Sequence, residues 1–219
     1  FRISVYIYSP FTRIPDDATI NVYKKTTYKS WEGSTISILG DSISTGGYTS
    51  ILGNMTGATI DNNAVSGTTV TGTGGLVAQL KKIDENADLI IIFGATNDYW
   101  RKNISIGSLS DEGTGTYLGA MKHILQYLET NHPDAEYLFI FPYDQHFGGN
   151  NSDVDFGKGT LDDFRSAFLA FCDEYDLDHI DLGDTDFDCN FHSNDGVHPN
   201  STGHQIIAEA IYEHISVGK

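Results

Sequence analysis

Three residues of this chain have the types that nucleophilic acyl transfer needs. They are Ser42, in Gly40-Asp41-Ser42-Ile43-Ser44, and the pair Asp195 and His198, in Asp195-Gly-Val-His-Pro-Asn200. In that chemistry a histidine takes the serine proton, and a carboxylate fixes the histidine tautomer and stabilises the imidazolium that forms. Asp195 and His198 stand three residues apart in a loop bearing Gly196 and Pro199, close enough for the carboxylate to face the ring it must orient. The reaction also needs donors aimed at the developing oxyanion. The backbone N–H groups of Ser42 and Gly67 and the side-chain amide of Asn97 would make a three-donor hole, in which losing one donor costs roughly 10²- to 10³-fold in turnover. Each residue has a plainer reading taken alone. Gly-Asp-Ser can be a polar turn, Asp195 to Pro199 a helix-entry loop, Gly67 a turn glycine and Asn97 an Asx-turn residue.

The elements that must position these residues follow from hydrophobic periodicity. Ile36, Ile38 and Leu39 read as a short buried strand that stops at Gly40, which puts Ser42 just outside a sheet edge. Strands are expected near 58–60, 88–93, 136–141 and 178–182, and helices over 48–55, 76–83, 116–130, 161–175 and 201–215. Residues 144–159 read as a polar, glycine-bearing loop. Strands separated by helices of this length imply a three-layer α/β/α sandwich around a mainly parallel sheet with right-handed crossovers. In such sheets ligands and chemistry gather at the carboxyl ends of the strands, where Ser42, Gly67 and Asn97 all fall. Residues 2–8 and 18–24 alternate in the manner of half-buried strands, so residues 1–33 form an N-terminal β segment and connector ahead of a main domain over 34–219. Two strands alone are marginal in water, so this segment either packs on the main body or is the remnant of an upstream β-domain.

With those blocks in place, the chain resembles the SGNH hydrolases, also called GDSL-type esterases and lipases, over about residues 35–215. Gly40-Asp41-Ser42-Ile43-Ser44 resembles the nucleophile block, with Ile43 where leucine is usual. Gly67 matches the glycine block, and Asp195-x-x-His198 the final one. Gly94-Ala-Thr-Asn97-Asp98 is similar to the Gly-x-Asn-Asp block with one extra residue. The resemblance implies the flavodoxin-like SGNH fold and a serine esterase. In it Ser42, Asp195 and His198 are catalytic, and Ser42, Gly67 and Asn97 form the oxyanion hole. Neither a metal nor an organic cofactor is expected.

Composition bounds the remaining classes. Thirteen Lys and Arg against 30 Asp and Glu give a net charge of −17, which repels phosphate backbones and anionic membranes, so no nucleic-acid partner is expected. No apolar run reaches the roughly 20 residues that span a bilayer. The histidines other than His198 lack metal-site spacing, and Cys172 and Cys189 read as buried thiols whose pairing the sequence leaves open. Tyr99, Trp100, Tyr143, Phe147 and Phe191 fall beyond strand ends, where aromatic faces could flank a sugar ring or simply pack beneath loops. Residues 1–33 resemble β segments attached to extracellular sugar-active or phage-tail-like proteins. The expectation is therefore an O-acetylated small-molecule or polysaccharide substrate and a secreted or extracellular location. Other short-chain esters, and a non-catalytic carbohydrate-binding or adhesin module on the same fold, are the alternatives.

Overall fold

The structure, a computed structural model, describes residues 28–101, 103–148 and 150–217. The strands expected within 2–8 and 18–24 lie outside the described residues. Among the described residues, five strands form the main sheet: β1 (Thr35–Gly40), β2 (Thr59–Asn62), β3 (Leu89–Phe93), β4 (Glu136–Phe141) and β7 (His179–Asp181). All pair in parallel, in the order β2-β1-β3-β4-β7. The long helices are α1 (Tyr48–Thr56), α4 (Tyr117–Asn131), α5 (Leu161–Glu174) and α7 (Ser201–Ser216). Shorter ones are α2 (Leu76–Gln79), α3 (Thr96–Trp100) and α6 (Cys189–His192), and residues 146–151 form a small antiparallel hairpin, β5 (His146–Phe147) and β6 (Asn150–Asn151).

Both faces of the sheet are covered, which is why its central strands read as unbroken apolar runs. Along β3, Ile90 and Ile92 join a core with α2, α4 and α5, whereas Leu89, Ile91 and Phe93 join a second core with α1 and α7. The three-layer α/β/α sandwich is thus present. The chain adds β2 on one side of β1 and β3 on the other, so the strand order reverses between β1 and β3, whose last residues, Gly40 and Phe93, are in register. That switch point is where open parallel sheets leave a crevice for chemistry.

Two local expectations change. Residues 76–83 are not one helix: α2 gives way to a 3₁₀ turn, Leu80–Lys82. Gln79, in the middle of the apolar stripe, uses both its amide groups on the end of β1 rather than facing solvent. Residues 144–159 are not simply loop, since they contain the β5–β6 hairpin. Within the connector, Trp31 is buried and its indole N–H donates to the Ile215 carbonyl at 3.0 Å, fastening this segment to α7. Cys172 and Cys189 are both buried and unpaired. Among the described residues, no helix is long and apolar enough to cross a membrane.

Candidate active site

The turn after β1 is built tightly. The Gln79 side chain accepts from the Gly40 N–H at 2.9 Å and donates to the Gly40 carbonyl at 2.9 Å, replacing the next rung of the sheet. Asp41 Oδ1 accepts from the Ile43 N–H at 2.9 Å, an Asx turn that bends the chain around Ser42. The backbone folds back so closely that a β-carbon on Gly40 would lie 2.3 Å from Ser44 Oγ, which explains the glycine. The result leaves Ser42 half-buried at the carboxyl end of β1.

The Asp195–His198 loop meets that turn from the amino end of α7. Asp195 Oδ1 accepts from the Val197 and His198 N–H groups at 3.0 and 2.7 Å, and Oδ2 pairs with His198 Nδ1 at 2.7 Å. On the other side of the ring, Nε2 lies 2.9 Å from Ser42 Oγ. Partial burial would raise the Asp195 carboxyl, but these N–H and imidazole contacts hold it below its usual range, so it is an anion in position to orient the ring. Asn200 caps α7 by accepting from the Thr202 and Gly203 N–H groups, both at 3.0 Å, which fixes where the loop ends.

Asn97 sits in α3, which begins two residues after β3. Its Nδ2 donates to the Thr68 carbonyl at 2.9 Å and to Asp41 Oδ2 at 3.3 Å, so it touches the neighbours of both Gly67 and Ser42. The backbone N–H groups of Ser42 and Gly67 have no hydrogen-bond partner among the described residues. The extra residue between Gly94 and Asn97 is taken up at Ala95, whose φ of 101° lets the chain turn into α3. Ala95 is buried, and packing holds it in a conformation that a side chain disfavours by roughly 1–2 kcal/mol.

A family model, the GDSL-like Lipase/Acylhydrolase family, matches residues 38–206, the span that holds all of these groups. The chain belongs to that family. No curated protein matches the sequence. Among solved structures, a protein from Lactobacillus plantarum is 26% identical with a TM-score of 0.74, covering 83% of this chain and 96% of its own. A GDSL-like lipase candidate from Bacteroides ovatus is 24% identical with a TM-score of 0.64, covering 83% and 97%. The acetyl xylan esterase AlAXEase is 17% identical with a TM-score of 0.62, covering 83% and 99%, a likeness of fold.

In this acylhydrolase two of the aromatic residues expected at the substrate are buried instead. Tyr143 stacks on Phe187 with ring centroids 3.6 Å apart and donates to the Val197 carbonyl, so it supports the His198 loop from beneath. Tyr99 lies in the core with its hydroxyl 2.8 Å from the Val154 carbonyl. Trp100 is half-buried, with its indole N–H on Gln145 at 2.8 Å and its ring edge-on to the exposed Phe147. Phe191 remains exposed on α6, next to the loop end at Asn200. Gln79, Arg101 and Lys158, which also hold the site's segments, carry no motif. The one signal for Gln79 was a glutamine interrupting an apolar stripe.

Two fully buried carboxyls of this acylhydrolase lie behind the site. Burial raises Asp41 to about 7, against the lowering effect of the Ile43 N–H and with a further push from Asp98. Burial likewise raises Asp98 to about 6 although the Val70 and Thr71 N–H groups donate to it at 2.7 and 3.0 Å. Between about pH 4 and pH 7 the folded chain therefore holds protons that the unfolded chain releases, and this contribution to stability declines as pH rises. Asp41→Asn removes the buried charge. It is expected to be more stable than the parent at pH 8 by roughly 1–3 kcal/mol and to lose that advantage near pH 4. Thermal melts at fixed ionic strength check this, and an advantage that does not shrink in acid contradicts it.

Proposed function

We propose that the chain is a serine esterase working through an acyl-enzyme, with an O-acetylated carbohydrate as its substrate. The observation that carries the reading is the continuous hydrogen-bonded line from Asp195 through His198 to Ser42 Oγ, at 2.7 and 2.9 Å. Ser42 Oγ attacks the ester carbonyl as His198 Nε2 takes its proton. His198 then gives that proton to the departing alcohol. Water, activated by the same nitrogen, hydrolyses the acyl-Ser42 bond and regenerates the hydroxyl. The Ser42 and Gly67 N–H groups serve the oxyanion, and the Asn97 amide joins them by releasing Asp41 Oδ2, the longer of its two present contacts at 3.3 Å.

The preference for a short acyl group rests on what surrounds the turn. One cavity of about 480 Å³ begins at Thr45, whose hydroxyl donates to the Ser42 carbonyl, and continues along Thr49, Ser50 and Asn62. Another, of about 420 Å³, lies beside His146, Asn150 and Asn151. Long acyl chains gain roughly 0.8 kcal/mol for each methylene they bury, and these walls, in which Ile60 and Val154 are the apolar side chains, offer little of that. The exposed ring of Phe147, edge-on to Trp100 on the hairpin that abuts the His198 loop, suits the apolar face of a sugar.

A serine-reactive fluorophosphonate should label Ser42, and acetate release from acetylated glycans should exceed hydrolysis of matched octanoyl esters by more than about tenfold in kcat/KM. Turnover of long-chain esters alone would remove the acetyl reading. Absence of a Ser42 adduct together with glycan binding would favour a non-catalytic module.

A further inference from the structure

We propose that Lys158 is a positioning residue for the oxyanion donors, holding α3 by its last carbonyls so that Asn97 and the 67–71 loop keep their places. This rests on the acyl-transfer reading above. With five residues α3 is too short to persist on its own, and a helix end leaves carbonyls without partners. The Lys158 ammonium donates to the Asp98 carbonyl at this end of α3 and to the carbonyl of Arg101, the residue just beyond it, which also accepts from the Ile104 N–H at 3.5 Å. On its opposite side α3 grips the loop that carries Gly67. Asn97 donates to the Thr68 carbonyl, the Asp98 carboxylate accepts from Val70 and Thr71, and the Arg101 guanidinium donates to the Gly67 carbonyl. Movement of α3 therefore shifts two of the three donors together.

Lys158 itself is anchored. Asp155 Oδ1 accepts from the N–H groups of Gly157, Lys158 and Gly159 at 2.7, 2.9 and 2.8 Å, and the capping box of Thr160 and Asp163 starts α5 immediately afterwards. The ammonium sits 5.4 Å from the Phe164 ring centroid. It thus ties α5, a long packed helix, to a short one that needs support.

Charge-assisted hydrogen bonds are about twice as strong as neutral ones, so the tie depends on protonation. Burial lowers Lys158 to about 8, opposed by the Asp98 charge. Other ionisable groups face it from the neighbouring elements. On α3 burial raises Asp98 to about 6 and Tyr99 to about 12. Burial raises Tyr117 on α4 well above its ordinary value, and Asp155 on its own loop is held low by the three N–H groups. Asp162 and Asp163 open α5.

The test is kcat and KM on a chromogenic acetyl ester from about pH 6 to pH 10 for the parent, Lys158→Met and Lys158→Arg. Lys158→Met should lose roughly 10- to 100-fold in kcat with KM changed less than about threefold, since the donors act on the transition state. The parent's kcat should decline above about pH 8, and Lys158→Arg should restore turnover and move that decline upward. Parent-like kcat in Lys158→Met, or an alkaline decline unmoved in Lys158→Arg, overturns the proposal. If Lys158→Met does not fold, Lys158→Arg alone decides. A parent that labels at Ser42 and turns over while Lys158→Met matches it sinks this inference only; a parent without turnover sinks the esterase reading.

Discussion

Alanine at Ser42 is expected to lower turnover of an acetyl ester by about 10⁴- to 10⁶-fold, and alanine at both Ser42 and His198 by no more than that. The reason is the shared bond. His198 Nε2 has Ser42 Oγ as its partner at 2.9 Å, so once the hydroxyl is gone the imidazole has no proton to take and its removal costs nothing further. Asp195→Asn should cost about 10⁴-fold by itself, because an amide that donates toward Nδ1 favours the wrong tautomer. Its two backbone contacts, to Val197 and His198, would otherwise leave the loop standing. Some acceleration over water should survive in Ser42→Ala from the donors alone. Steady-state kinetics on the single and double variants, with circular dichroism as a folding control, measure this. Multiplying losses would show that the two residues act independently and would break the proposed mechanism.

The same contrast between local and distant causes explains how much could be read from sequence. The places of Ser42, Asn97 and His198 in the fold were legible because each follows a strand or precedes a helix, and the turn chemistry around each leaves a mark in neighbouring residues. The fold was legible because an apolar run such as Leu89–Phe93 has little choice but to be buried on both faces. The aromatic residues were not. Tyr99 and Tyr143 follow strand ends just as the site residues do, but their exposure depends on what later chain lies over them. For Tyr99 that is the 151–154 backbone, more than 50 positions on, and for Tyr143 it is Phe187 and Val197. Lys158 and Gln79 illustrate the limit further, since their partners lie 57–60 and 39 positions away and no periodicity encodes such pairs. The hairpin at 146–151 escaped notice because two-residue strands are too short to show alternation.

That hairpin gives the second large expected effect, through Gly196→Ala. Gly196 lies between the two catalytic candidates of its loop, with φ at +86°, and a β-carbon there would stand 2.0 Å from the His146 carbonyl oxygen. The obstacle is backbone, and it is also bonded, since the His146 N–H donates to the Gly196 carbonyl at 2.8 Å. The side chain cannot be accommodated by a rotamer change, so either the hairpin or the Asp195–His198 loop must move. Conformational strain of roughly 1–2 kcal/mol adds to overpacking of about 1–3 kcal/mol. Displacing an acid–base group by about 1 Å costs on the order of 10²-fold in rate. Gly196→Ala should therefore lower the melting temperature and reduce kcat by about 100-fold or more. Gly33→Ala separates the two causes: its φ is +81°, yet a β-carbon there meets nothing within 4 Å. It should lose only about 1–2 kcal/mol of stability and keep full turnover. Parent-like kcat in Gly196→Ala would mean that the hairpin yields instead of the loop, and that its contact with Gly196 does not set the position of His198.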